Sequence, residues 1–251
     1  MYYSKNMAPV ENRKESHIYV VELGEDMMSL KGEPVLVSKP EQPWELKSGN
    51  KRWNEGAFVF KKDGTYFLMY SANCYCGRSY SVGYSTSKSP FGPFTKYRNN
   101  PVLSAEYSKV SGTGHHSIVR SPDGKELFIV YHSHINPAEG GGNRQLNIDR
   151  MGFREDGSIY VNGPTLSQQP PPSGVNGLTN IAREAKITAG SVKEGFSVKA
   201  LQDGEIGIYP TRTETKDWVV VREAGKAWVK LEWDQAREVD SIWIYNSARY
   251  Q

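Results

Sequence analysis

The feature that most constrains this chain is a strand–turn–strand pattern that occurs twice. Ala57-Phe58-Val59-Phe60-Lys61-Lys62-Asp63-Gly64-Thr65-Tyr66-Phe67-Leu68-Met69-Tyr70-Ser71 is matched by Ser117-Ile118-Val119-Arg120-Ser121-Pro122-Asp123-Gly124-Lys125-Glu126-Leu127-Phe128-Ile129-Val130-Tyr131-His132-Ser133 at an offset of about 60 residues. In both copies β-branched and aromatic residues flank an Asp-Gly pair, the signature of a hairpin turn. Tyr2-Tyr3-Ser4 reads as the end of an earlier copy. After each pair there is room for two outer strands, so the unit is four-stranded, and repeated four-stranded units predict β-propeller blades. A sandwich assembled from similar hairpins is the other architecture this pattern allows.

The rest of the chain agrees with an all-β reading. Helical periodicity is almost absent, and strands are predicted at 18–22, 57–61, 66–71, 81–85, 117–120, 127–132, 146–153, 228–233 and 241–245. Asp156-Gly157 marks a third hairpin turn. At Ser167-Gln168-Gln169-Pro170-Pro171-Pro172-Ser173-Gly174 the composition changes to that of a semi-rigid linker. The boundaries that follow are a first domain over 1–166, a Pro-rich linker over 167–177, and a second β-rich module over 178–251.

Composition excludes several classes. Lys+Arg 31 against Asp+Glu 28 leaves a net charge of +3 with no clustered basic face, so no nucleic-acid partner is expected. No apolar stretch approaches the roughly 18 residues of a membrane span. Met1-Tyr2-Tyr3-Ser4-Lys5 lacks the layout of a signal peptide and looks like part of a strand. Mean hydropathy is low at -0.61, but Trp 6, Tyr 15 and Phe 8 supply the aromatic mass of a packed core. Cys74 and Cys76 are separated by one residue. A bridge over so short a loop is expected to be strained, which predicts two ordinary thiols.

Two strand entrances carry candidate chemistry. Glu55, in Trp53-Asn54-Glu55-Gly56-Ala57, precedes an apolar strand; there a partly desolvated carboxyl gains the raised pKa of a general acid, whereas an exposed turn position gives a plain surface carboxylate. One repeat later Gly112-Thr113-Gly114-His115-His116-Ser117 delivers an imidazole that suits a metal, a sugar hydroxyl or a buried network. His132 and His134 alternate on one strand and share a face. Zinc-ligand spacing, a nucleophile elbow and a phosphate-cradling glycine loop are all absent from the sequence.

These residues carry a family resemblance. Glu55-Gly56-Ala57, Tyr70-Ser71-Ala72-Asn73, Ser89-Pro90-Phe91-Gly92-Pro93-Phe94 and Gly112-Thr113-Gly114-His115-His116-Ser117 occur in an order and spacing similar to the C-terminal part of family 43 glycoside hydrolases. The resemblance covers Tyr2 to about Gly163. It implies a five-bladed β-propeller, of which about two and a half blades lie in this chain, with the active site at the central channel. It also implies inverting hydrolysis of plant-derived oligo- or polysaccharides at arabinose, xylose or galactose linkages by an exported enzyme. Glu55 matches the catalytic acid. His115 matches the His that helps hold a calcium ion, often through water. Arg144 is similar to an Arg that contacts the sugar, and Trp53 is placed with it as substrate-binding. The implied base Asp and the Asp that tunes the acid's pKa fall upstream of Glu55, where no residue stands in a matching context. This predicts a catalytically incomplete fragment, with a non-catalytic sugar-binding protein as the alternative.

The module from 178 to 251 resembles the first part of a discoidin-like or family 6-like carbohydrate-binding β-sandwich, through Asn180-Ile181-Ala182, Asp203-Gly204, Ala227-Trp228-Val229-Lys230-Leu231 and Ser241-Ile242-Trp243-Ile244-Tyr245. Trp218, Trp228, Trp233 and Trp243 could stack on sugar rings, but Trp228 and Trp243 alternate with apolar neighbours and are expected in a core.

Overall fold

The structure, a computed structural model, describes residues 1–9, 11–105, 108–206, 217–220, 225 and 227–245. It is built from strands with a few short 3₁₀ turns. Strands β1 (Tyr2–Asn6), β2 (Lys14–Leu23) and β3 (Leu30–Ser38) form an antiparallel set. Next come β4 (Lys51–Lys62), β5 (Thr65–Ala72), β6 (Ser81–Ser87) and β7 (Thr95–Lys96), paired in that order, with β8 (Leu103–Ser104) also on β6. A short parallel bridge from Lys14–Ser16 to Lys51–Trp53 joins the first set to the second. A separate four-stranded sheet has the order β12-β11-β10-β9, from β9 (Gly114–Arg120), β10 (Leu127–His134), β11 (Arg144–Phe153) and β12 (Ile159–Val161). The two predicted repeats are therefore the β4–β5 and β9–β10 hairpins.

The turns follow from their residues. Asp63 (φ 48°) and Gly64 (φ 73°) are both left-handed, the two-residue turn that matches strand twist and closes Lys62 against Thr65. Strand β5 is enclosed on both faces: Phe67 to Ala72 are all buried, so it reads as a nearly continuous apolar run instead of an alternating one. Leu68, Tyr70 and Ala72 pack with Ile18 and Trp44, flanked by Tyr2, Val37, Ala57, Val59 and Phe94.

The chain divides into two compact units. The first comprises Met1–Val119, Phe128–Arg150 and Gly163–Leu166; the second comprises Arg120–Leu127, Met151–Asn162 and Ser167–Gln251. In the first, the Asp149 carboxyl ties β10 and β11 to residues 163–166. It accepts from the Tyr131 hydroxyl at 2.6 Å, the Thr165 hydroxyl at 2.5 Å and the Thr165 backbone N–H at 3.2 Å. Burial holds this carboxyl above the usual carboxylate range.

In the second unit the segment expected as a linker is anchored. Ser173 is buried; its hydroxyl donates to Asp123 at 2.5 Å and its N–H to Glu126 at 2.8 Å. Arg154 grips Glu205 in a two-pronged ion pair with contacts of 2.7 to 3.1 Å. Strands β13 (Lys186–Ala189) and β14 (Val229–Glu232) pair as a two-stranded sheet. Two expectations are corrected here. Residues 241–245 are not a strand, and Trp228 and Trp243 are not core, being 48% and 44% exposed. A two-stranded sheet has too little surface to cover both indoles. Trp218 and Trp233 are instead tied down, their indole N–H groups donating to the Ser191 and Ile181 carbonyls.

Candidate active site

Glu55 is aimed by its neighbour. Asn54 is fully buried, and its side-chain amide donates to Ser38 Oγ at 2.8 Å and Glu45 Oε1 at 3.2 Å. Glu45 is also completely buried and pairs with Lys96 at 2.8 Å. With Asn54 fixed on one face of β4, alternation turns Trp53 and Glu55 to the other. The register then breaks between Glu55 and Phe58, and Gly56 takes φ 61°, a bulge at the strand entrance that ends regular pairing beside the carboxyl.

A ring cluster surrounds that carboxyl. The Tyr80 hydroxyl donates to Glu55 Oε1 at 2.9 Å. Tyr80 is fully buried, and burial, reinforced by the nearby carboxylate, pushes its pKa well up, so its O–H remains a donor across the working pH range. His132 stacks on Tyr80 with ring centres 5.6 Å apart, and His115 stacks on His132 at 6.4 Å. Burial and the charges of Arg144, His115 and His134 bring His132 down to about 4, so it is neutral near pH 7. His115 has φ 54°, an uncommon angle for a residue with a Cβ, and its N–H donates to Ser71 Oγ at 2.7 Å. Ser71 lies opposite Glu55 in the β4–β5 register. A Cβ on Gly56 would sit 3.4 Å from the His115 ring, so the two strand entrances touch.

The structure thus brings Glu55 and His115 into one cluster, joined by Gly56, Ser71, Tyr80 and His132. Arg144, exposed at the start of β11, lies with its guanidinium 5.3 Å from the Tyr75 ring centre, and its charge acts on both Tyr80 and His132. Trp53 is less engaged. Its carbonyl accepts from the Asn73 N–H at 3.2 Å, and its indole makes no hydrogen bond or ring stack among the described residues. No group of three or more His, Cys, Asp or Glu side chains is gathered to hold a metal among the described residues, so His115 offers a cation a single imidazole.

Sequence reasoning missed Tyr80, whose only local signal is an aromatic residue just ahead of a predicted strand. His134 separates from His132 in role: its ring lies between Ser111 Oγ at 3.1 Å and the Tyr75 carbonyl at 2.7 Å. The thiol expectation is overturned. Cys74 and Cys76 form a disulfide, and no free cysteine is left. A turn from Cys74 to Gly77 holds their Cα atoms 5.1 Å apart, within the normal bonding range.

Comparison with known proteins gives the family. The profile of glycosyl hydrolases family 43 matches residues 1–159, and one described as a domain of unknown function (DUF7402) matches residues 180–250. A β-D-galactofuranosidase of Aspergillus niger is 37% identical over 164 residues, 65% of this chain and 43% of that protein. An arabinoxylan arabinofuranohydrolase of Paenibacillus polymyxa is 26% identical over 235 residues, 86% of this chain and 33% of that protein. Among solved structures, a thermostable family-43 glycoside hydrolase superimposes with a TM-score of 0.66 at 48% identity, covering 69% of this chain and 56% of the other. An endo-1,4-β-xylanase from Bacteroides thetaiotaomicron gives 0.54 at 36%, covering 59% and 50%. The chain therefore spans less than two thirds of the length of each, and the structures it resembles are all-β propellers. No helix among the described residues is long and apolar enough to cross a membrane. With its profile spanning more than half of the residues, this chain belongs to glycosyl hydrolases family 43.

Proposed function

We propose that this chain is part of an inverting glycoside hydrolase that cleaves arabinose, xylose or galactose linkages of plant polysaccharides. The observation that carries the reading is the Glu55 carboxyl, hydrogen-bonded by Tyr80 and bordered by His132 and His115 at the meeting of two strand entrances. The names of the relatives, an arabinoxylan arabinofuranohydrolase and a galactofuranosidase, support the substrate class. In this reading Glu55 protonates the leaving oxygen, while a second carboxylate activates water on the opposite ring face. Tyr80 steers the Glu55 proton by occupying one of its oxygens. Arg144 and Trp53 contact the sugar. The base Asp and the pKa-tuning Asp are not supplied in a matching context by these 251 residues. The activity belongs to the protein in which they accompany this segment.

The fold proposal is a five-bladed ring to which β1–β12 contribute about two and a half blades, followed from residue 178 by a carbohydrate-binding β-sandwich. The exposed indoles of Trp228 and Trp243 support a sugar-facing role there. Calcium at His115 stays within the proposal only with water completing its shell, because this cation takes roughly six to eight oxygen ligands. No step is routed through it.

The test is Glu55→Gln in the protein expressed from its complete reading frame, assayed on arabinoxylan and on nitrophenyl arabinofuranoside and xyloside. A loss of about a thousandfold on arabinoxylan, smaller on the nitrophenyl sugars whose leaving groups need less protonation, is expected. Unchanged turnover on arabinoxylan removes Glu55 from the role. A second reading, a non-catalytic sugar-binding protein, rests on the two unmatched Asp positions; it prevails if the complete protein binds these sugars and hydrolyses none.

A further inference from the structure

We propose that Tyr75 is a positioning residue for Arg144, held in place by the Cys74–Cys76 disulfide that spans it; this rests on the sugar-binding reading of the site given above. The backbone of Tyr75 is fixed from several sides. The disulfide joins the residues before and after it. Its carbonyl accepts from His134 Nε2 at 2.7 Å, and His134 is 2% exposed. With Nε2 donating there, Nδ1 accepts from the Ser111 hydroxyl at 3.1 Å, so one neutral tautomer satisfies both contacts. The glycine turn Gly140–Gly142 closes the other side. A Cβ on Gly141 would lie 2.6 Å from the Tyr75 ring, and one on Gly140 would lie 2.7 Å from the Cys76 carbonyl.

The ring so held is not buried: Tyr75 is 48% exposed, with the Arg144 guanidinium over it at 5.3 Å. The Arg144 guanidinium makes no hydrogen bond to protein among the described residues, so the ring face is what organises it. A guanidinium held over an aromatic face by cation–π attraction still has N–H groups to donate, and its planar fork suits paired hydroxyl oxygens of a sugar. The same guanidinium acts electrostatically on Tyr80, the donor to Glu55. Opening the disulfide would release Tyr75, then Arg144, and weaken sugar binding without touching Glu55.

The experiment is calorimetric titration of soluble arabinoxylan oligosaccharides into the protein expressed from its complete reading frame and carrying Glu55→Gln, so that the sugars are not turned over, with a double-variant cycle on Tyr75→Ala and Arg144→Ala in that background. Tyr75→Ala is expected to weaken binding about fivefold, the scale of an exposed cation–π contact. Tyr75→Phe, which keeps the ring face, restores wild-type affinity. The double variant binds no more weakly than Arg144→Ala alone. Reduction with dithiothreitol, or the pair Cys74→Ser with Cys76→Ser, reproduces the Tyr75→Ala loss. Melting curves accompany every variant, and Tyr75→Leu replaces Tyr75→Ala if the latter melts early. Additive losses in the cycle, or unchanged affinity in Tyr75→Ala, overturn this proposal and leave the sugar-binding reading standing. A complete protein with Tyr75 and Arg144 intact that binds none of the oligosaccharides overturns both.

Discussion

Trp53-Asn54-Glu55-Gly56 and Thr113-Gly114-His115-His116 stand at the same point of the two repeated hairpins and shape their backbones with different residues. In the first, the left-handed angle falls on Gly56, at φ 61°, and the carboxyl before it is carried on ordinary extended backbone. In the second, the left-handed residue is His115 itself, at φ 54°. The inward residues differ as well. Asn54 is anchored by hydrogen bonds to Ser38 and Glu45, whereas Gly114 is packed by the Tyr80 ring, with no room for a side chain. One architecture thus presents a carboxyl at one entrance and an imidazole at the next. The strain stays local, where the rest of the hairpin holds it in place.

The largest expected effect on stability comes from Gly114→Ala. The added Cβ would meet Tyr80 Cε1 at 2.2 Å, so the buried ring must move. A loss of about 3 kcal/mol in urea unfolding is expected, as for an overpacked core site. A cost no larger than that of a surface substitution would mean the two entrances are not in contact through Tyr80.

His116 sharpens the comparison, because its imidazole stands where the first copy has Gly56. It is buried beside Phe58, both ring nitrogens lack partners among the described residues, and burial brings its pKa down from 6.5 to about 3. The unfolded chain takes up a proton near 6.5 and the folded one does not until about 3. Stability is therefore whole above 6.5 and is lost as pH falls through that window, at about 1.4 kcal/mol per pH unit for this group. His116→Phe should flatten the pH dependence of the urea midpoint by one proton; identical slopes in variant and wild type would show that His116 does not stay neutral. His132, lowered to about 4, adds a comparable slope over the narrower window from 6.5 to about 4, which the variant keeps.

The smallest effect tests the strain itself. Gly56→Ala places a Cβ on a left-handed residue and should cost about 1 kcal/mol. His115→Gly removes that strain from the second copy and should stabilise the fold by about 0.5 kcal/mol, while weakening sugar binding if His115 serves the site. Opposite shifts in chemical denaturation support the parallel; a destabilised His115→Gly breaks it.

The hairpin repeat, the Asp-Gly turns and the two entrances bearing Glu55 and His115 were legible in the sequence. Strand period and turn chemistry depend on neighbours two to four residues apart. The partners around Glu55 were not legible. Tyr80 lies 25 residues on and His132 much further, and nothing in local pattern says which rings will stack. The cysteine pair was misread as free thiols because loop length alone does not say whether the two sulfurs meet, whereas the turn at Cys74–Gly77 sets a Cα separation of 5.1 Å. Trp228 and Trp243 were misread because alternation says which side chains share a face, not whether a second layer covers it. Local order in this chain is set by backbone sterics and turn residues. The site was decided by which strand entrances the packing of separate sheets brought within a few ångströms of each other.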